Sequence, residues 1–205
     1  MGKVAEKQKN KRTNILDAAY ELFVEKSVNN TSIDDVVKKA GIAKGTFYLY
    51  FKDKYDLMER LIIRKGALVL KYVLSELKEK KDRVTMSFSD QIIFITERIV
   101  DYLENHKELI SLMGKNFSSC LNYFASIEDD ELKSMLNELI TDGSETADNK
   151  PEIMKKIYLI VTLVGSVCHD ALVFEAPFKI SEVKPMLLSG VKGILGTECT
   201  SISEL

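Results

Sequence analysis

From Thr13 onward, apolar residues recur at the spacing of a single helix face. Ile15, Ala18, Ala19, Leu22 and Phe23 fall at i, i+3, i+4, i+7 and i+8, which predicts an amphipathic helix ending near Lys26, before the turn-forming pair Asn29-Asn30. The polar, lysine-rich residues 1–11 are expected to form a mobile arm ahead of it. A shorter stripe follows at Ile33, Val36, Val37 and Ala40. Thr31 or Ser32 caps this second helix, and Asp34 and Asp35 stand in its first turn, where the helix dipole favours acids. Gly41 stops it, since glycine readily takes the left-handed conformation that ends helices. Ile42 plugs the turn, and a third helix is predicted from about Ala43 to Tyr50. Phe47 and Phe51, four apart, turn inward to anchor it.

Asp53 is placed to cap a long fourth helix, with Tyr55, Met58, Leu61, Ile62, Leu68, Val69, Tyr72 and Leu77 apolar along it and the charged run Glu76 to Arg83 closing it. Further helices are predicted near 87–105, 107–124, 129–141, 151–175 and 181–196. Thr141 to Pro151 is the clearest long loop. Strand alternation and internal repeats are absent, and abundant Leu, Ile, Lys and Glu with three prolines and no tryptophan fit an all-α chain. The 205 residues suffice for a small domain fused to a larger one, and the expected division is 1–54 and 55–205.

Charge sharpens that division. The whole chain carries a net charge of −2, yet residues 1–54 are net +4 and residues 55–205 net −6, a basic module on an acidic body. Cys120, Cys168 and Cys199 are odd in number and lack metal-ligand spacing, so a reduced, cytoplasmic setting is expected and no metal. Met1 to Glu6 has neither the apolar core of a signal peptide nor, with Glu6, the myristoylation pattern. The greasiest stretch, Ile157 to Phe174, contains His169 and Asp170 and reads as a buried helix rather than a membrane span. There is no phosphate loop and no nucleophile motif, and the histidines number two; no catalytic residue and no cofactor is assigned.

Two short helices joined by a tight glycine turn make a helix-turn-helix, whose second helix enters the major groove. The residue types fit that task. Lys44 brings charge to the start of the recognition helix, Gly45 permits close approach, and Thr46 offers a small hydroxyl. Tyr48 and Tyr50 carry hydroxyls suited to phosphate oxygens, and Lys54 stands at the next helix start, ready for a backbone phosphate.

The ordered set Ile15-Leu16-Asp17-Ala18-Ala19, Leu22-Phe23, Thr31-Ser32-Ile33, Val36-Val37, Ala40-Gly41-Ile42, Gly45-Thr46-Phe47-Tyr48, Tyr50-Phe51-Lys52, Lys54 and Leu57 resembles the TetR family of bacterial transcriptional regulators over about residues 12–60. The resemblance implies an all-helical homodimer of about nine helices: an N-terminal three-helix DNA-binding domain, then a larger domain that binds a small molecule and dimerises through the last two long helices. It implies a repressor of double-stranded operator DNA, released when an effector moves the fourth helix, with DNA contacts at Thr31, Ser32, Lys44, Gly45, Thr46, Tyr48, Leu49, Tyr50 and Lys54. Leu49 falls at the family's variable position; it meets a thymine methyl or faces sugar. A binding protein of the same fold with lost DNA affinity is the alternative, against which the intact Lys44, Thr46, Tyr48, Tyr50 and Lys54 set stands.

The body is less explicit. Met113, Phe117, Cys120, Tyr123 and Phe124 share one helix surface, either as ordinary core or as the lining of an apolar effector pocket. Cys168 and His169 complete the candidate pocket set, and the His169-Asp170 pair is read as a hydrogen-bonded seam or as a polar contact to the effector.

Overall fold

The computed structural model describes residues 3–80, 85–114, 129–143 and 150–196. Among these residues nine α-helices succeed one another and no strand forms: α1 Lys3–Lys26, α2 Ile33–Lys39, α3 Lys44–Tyr48, α4 Lys54–Glu79, α5 Phe88–Asn105, α6 Lys107–Met113, α7 Asp130–Gly143, α8 Lys150–His169 and α9 Ile180–Gly196. A π-helical turn, Asp170–Phe174, continues α8. The chain divides into two compact units, residues 1–65 and 66–205, and the division falls within α4.

In the first unit, α1 begins at Lys3, so residues 3–11 of the segment expected to be a mobile arm are helical. Alanine, lysine, glutamate and glutamine are strong helix formers, and no glycine or proline separates residues 3–12 from the amphipathic stripe, so the helix propagates backward from its packed part. Ile15, Ala19, Val36, Phe47, Phe51, Leu57 and Leu61 form the heart of the unit, each at most 1% exposed. Arg64 reaches back from α4 to Asp17 at 2.9 Å.

The turn chemistry follows from the residues. Ser32 and Asp35 make a reciprocal capping box: the Asp35 amide donates to Ser32 Oγ at 3.1 Å and the Ser32 amide to Asp35 Oδ2 at 2.9 Å. Those Ser32 hydrogen bonds hold the Asp35 carboxyl below its usual range. At the other end of α2, Gly41 has φ +64°. Its amide donates to Lys38 O at 3.3 Å, and the Ile42 amide donates to Val37 O at 3.0 Å, the paired bonds of a Schellman stop. Asp53 caps α4 as its position predicts, its Oδ1 accepting from the Tyr55 and Asp56 amides at 2.8 Å and 2.9 Å.

In the second unit, Val73, Val100, Ile110, Leu132, Cys168 and Val191 are fully buried in one core. Not every apolar residue read along α4 joins a core. Leu68 and Tyr72 precede the buried Val69 and Val73 by one position, about 100° around the helix, and are 54% exposed. A polar chain crosses three helices of this unit. Tyr72 donates to Glu76 at 2.7 Å; Arg98 grips Glu76 through two nitrogens at 2.8 Å and 2.9 Å; Arg98 also faces Asp101, and Lys184 of α9 contacts both Asp101 and Glu104.

The segment Lys150–Phe174 is long and apolar enough to cross a membrane by length and composition. Its two faces have different surroundings. Ile153, Ile160, Val164, Gly165, Cys168 and His169 are buried in the unit, while Tyr158, Leu159 and Leu163 are exposed on the other side.

Candidate nucleic-acid interface

A five-residue helix such as α3 does not hold itself together in water, because so short a helix never repays its nucleation. Two inward aromatic side chains hold it. Phe47 is fully buried, its ring 5.6 Å from that of Phe51 and edge-on to Tyr48 at 5.3 Å. With Phe47 pinned, the opposite face is presented outward. Lys44, Gly45, Tyr48 and Leu49 are exposed, Leu49 at 81%, and Thr46 and Tyr50 are half-buried. A Cβ added at Gly45 would meet nothing within 4 Å. The protein's own packing therefore does not demand a glycine here, and the bare backbone is available to an external surface.

The two lysines nominated for DNA are already engaged. Lys44 Nζ lies 2.9 Å and 3.1 Å from the carboxylate oxygens of Asp34. Lys54 Nζ donates to Asn29 O at 3.2 Å. Tyr55, read from the sequence as part of the apolar stripe of α4, is 59% exposed, and Lys54 Nζ stands 5.8 Å from its ring centroid. The register flags this exposure, since Tyr55 lies off the Leu57–Leu61 face that is buried.

Two nominated hydroxyls are committed to structure. Ser32 is exposed but spends its Oγ on the capping box, donating to Asp35 Oδ2 at 2.8 Å. Thr31 is 1% exposed. Its hydroxyl is directed to Ser27 O at 2.8 Å and Leu22 O at 3.3 Å. In this chain the Thr31 side chain is turned inward and pins the end of α1, where Ser27 takes φ +68°.

Of the candidate pocket residues, Phe117, Cys120, Tyr123 and Phe124 lie outside the described residues. Met113 packs against the core that buries Cys168. Burial pushes the Cys168 thiol up to about 12, which makes it a core residue without thiolate reactivity. His169 is buried, its Nδ1 3.3 Å from Asp170 Oδ1 and its ring edge-on to Phe174 at 5.2 Å. An open groove of about 210 Å³ lies beside Ser75, Lys78, Glu131, Ser134 and Glu138; none of the nominated residues lines it. Sequence reading also passes over Gln91, 4% exposed, whose Oε1 is buried without a hydrogen-bond partner among the described residues.

Comparison with known proteins gives the family and the fold. A family model described as "Bacterial regulatory proteins, tetR family" matches residues 15–61, the span from the α1 stripe to the start of α4. An HTH-type transcriptional regulator of Bacillus subtilis, YvdT, is 33% identical over 141 residues, which cover 63% of this chain and 69% of that protein. Among solved structures, a TetR transcriptional regulator from Rhodococcus sp. RHA1 superposes with a TM-score of 0.59 at 20% identity, covering 96% of this chain and 99% of that one. FadR from Bacillus subtilis, in complex with stearoyl-CoA, gives a TM-score of 0.53 at 17% identity, covering 87% and 96%. At these identities the two structures speak for the fold alone.

Proposed function

Because the chain belongs to the tetR family of bacterial regulatory proteins and is a helix-turn-helix transcriptional regulator, we propose that it is a dimeric, cytoplasmic repressor released from its operator by a small apolar effector. Residues 1–54 read DNA, and residues 55–205 bind the effector and dimerise. The observation that carries the DNA reading is the outward face of α3. Lys44, Gly45, Thr46, Tyr48, Leu49 and Tyr50 are set on buried Phe47 and Phe51, a rigid base under a face of hydroxyls, charge and one bare apolar tip. Lysines and tyrosine hydroxyls supply phosphate contacts, and Leu49 has the shape for a thymine methyl.

The dimer is supported by the exposed side of α8 and α9. Tyr158, Leu159 and Leu163 stand out on α8 and Met186 on α9. A Cβ added at Gly190 of α9 would lie 3.9 Å from Leu163, which places this apolar surface across both helices. A second copy covering it accounts for the apolar character of α8 without a membrane. Two heads so joined address half-sites about 34–36 Å apart, one helical turn of DNA, or a multiple of that spacing. The effector acts by binding the DNA-competent and DNA-released states unequally. Since FadR of Bacillus subtilis was solved with stearoyl-CoA, a long-chain acyl-CoA is the first effector to assay.

Gel-shift binding to the DNA flanking its own gene tests the reading. A shift that stearoyl-CoA or another apolar ligand reverses supports the whole scheme. Failure of the confirmed ligand-free dimer to shift any such fragment at low salt refutes it. Leu163→Glu should turn the dimer into a monomer by light scattering.

A further inference from the structure

Lys44 stands on the reading surface with its charge already answered. Its Nζ sits between the two carboxylate oxygens of Asp34, at 2.9 Å and 3.1 Å, and this hydrogen bond raises the pKa of the ammonium. Folding does not require Asp34 for the cap of α2, because Ser32 and Asp35 make it. The Asp34 side chain is 68% exposed, so the pair bridges α2 and α3 across the open face rather than within the core.

We propose that Asp34 is a built-in rival of the DNA phosphate for Lys44, an affinity brake on the reading surface. The inference rests on the reading of Lys44 as a DNA contact. A carboxylate oxygen and a phosphate oxygen offer an ammonium the same charge-assisted hydrogen bond, so Lys44 leaves one to take the other. Exposed ion pairs are weak enough for that exchange. Once Lys44 has turned to the phosphate, the Asp34 carboxylate remains facing a polyanion and repels it. Both effects subtract from affinity, and neither depends on base sequence. The brake therefore lowers binding to random DNA, the background against which an operator competes.

The test uses the full chain and a fluorescently labelled random-sequence duplex at low salt, titrated by anisotropy, with four proteins: wild type, Asp34→Asn, Lys44→Gln and the double variant. Asp34→Asn should bind about two- to five-fold more tightly, the range an exposed ion pair commands. Lys44→Gln should bind more weakly, and most of the Asp34→Asn gain should vanish in its background. Asp34→Ser should reproduce the gain, with melting curves showing both variants folded. An equal gain with and without Lys44 reduces Asp34 to one more surface charge and overturns the pairing. No gain in the presence of Lys44 overturns the brake while leaving the DNA reading intact. A Lys44→Gln variant that binds as well as wild type removes Lys44 from the contacts and the brake with it.

Discussion

Thr31→Val separates a core role from a DNA role at a residue that resembles a phosphate contact. Valine preserves the shape of threonine and deletes its hydroxyl. That hydroxyl is 1% exposed with its residue and is shared between Ser27 O at 2.8 Å and Leu22 O at 3.3 Å. Losing one net hydrogen bond costs about 1 kcal/mol, and a carbonyl left short of a partner adds about 1–2 kcal/mol. The expected destabilisation is thus about 2–3 kcal/mol, less whatever the extra methyl recovers by packing. Urea unfolding followed by circular dichroism measures it as a lower midpoint at unchanged slope. Thr31→Ser, which keeps the hydroxyl, should recover the hydrogen-bond share. Where the valine variant is still folded, its DNA affinity should fall with salt as steeply as that of wild type, because no phosphate contact has been removed. A variant of wild-type stability that binds DNA weakly, with a slope shallower by about 0.9, would place the hydroxyl on DNA and sink the reasoning.

Lys54→Ala should weaken binding to every sequence alike and flatten the log–log salt slope by about 0.9; an unchanged slope strikes Lys54 from the contacts. Glu76 is held below its ordinary pKa, first by the hydrogen bonds from Arg98, so the folded chain binds this proton less readily than the unfolded chain. The stability it contributes is complete above the ordinary glutamate value and is lost as pH falls through the lower folded one. Glu76→Gln should therefore lower the melting temperature at neutral pH and make the acid decline shallower, and an unchanged decline would count against the pair. Gln91→Met keeps the side-chain length and removes the orphaned oxygen together with the long 3.4 Å bond from Nε2 to Met86 O, so the two effects should nearly offset and stability should change by no more than about 1 kcal/mol. A loss well beyond that on denaturant titration would refute the reading of Oε1 as an uncompensated oxygen.

The fold is most legible where burial and local chemistry agree. Ile15, Ala19, Val36, Phe47 and Phe51 are core by spacing and core in fact, and the Asp53 cap and the Gly41 stop lie within a few residues of the helices they bound. Legibility fails where a residue's surroundings come from distant parts of the chain. The apolar stripe marks only the packed part of α1, whereas propensity alone carries the helix back to Lys3. Tyr55, Leu68 and Tyr72 share the apolar character of the α4 core and yet stay exposed, because the pattern records apolar type and not which side of the helix finds a partner. The π-turn after His169 leaves no trace in the sequence, since its residues are as apolar as those of an ordinary helix.

The face proposed to read DNA shows the same limit in a more consequential form. Residue types nominate a face that is exposed: Tyr48 and Leu49 stand outward on a pinned helix. Type does not reveal what each polar group already holds. Thr31 looks like a free hydroxyl in the sequence, yet its partners are the carbonyls of Ser27 and Leu22, four and nine residues away, brought near only by the turn that follows α1. Lys44 and Lys54 look like free cations, yet one holds Asp34 and the other Asn29 O. DNA affinity is the difference between the bonds a side chain makes on the duplex and those it surrenders on the protein. A tally of lysines reports only the first quantity. The second is set by tertiary packing around α2 and α3, and at Asp34 a single carboxylate has enough reach to alter it.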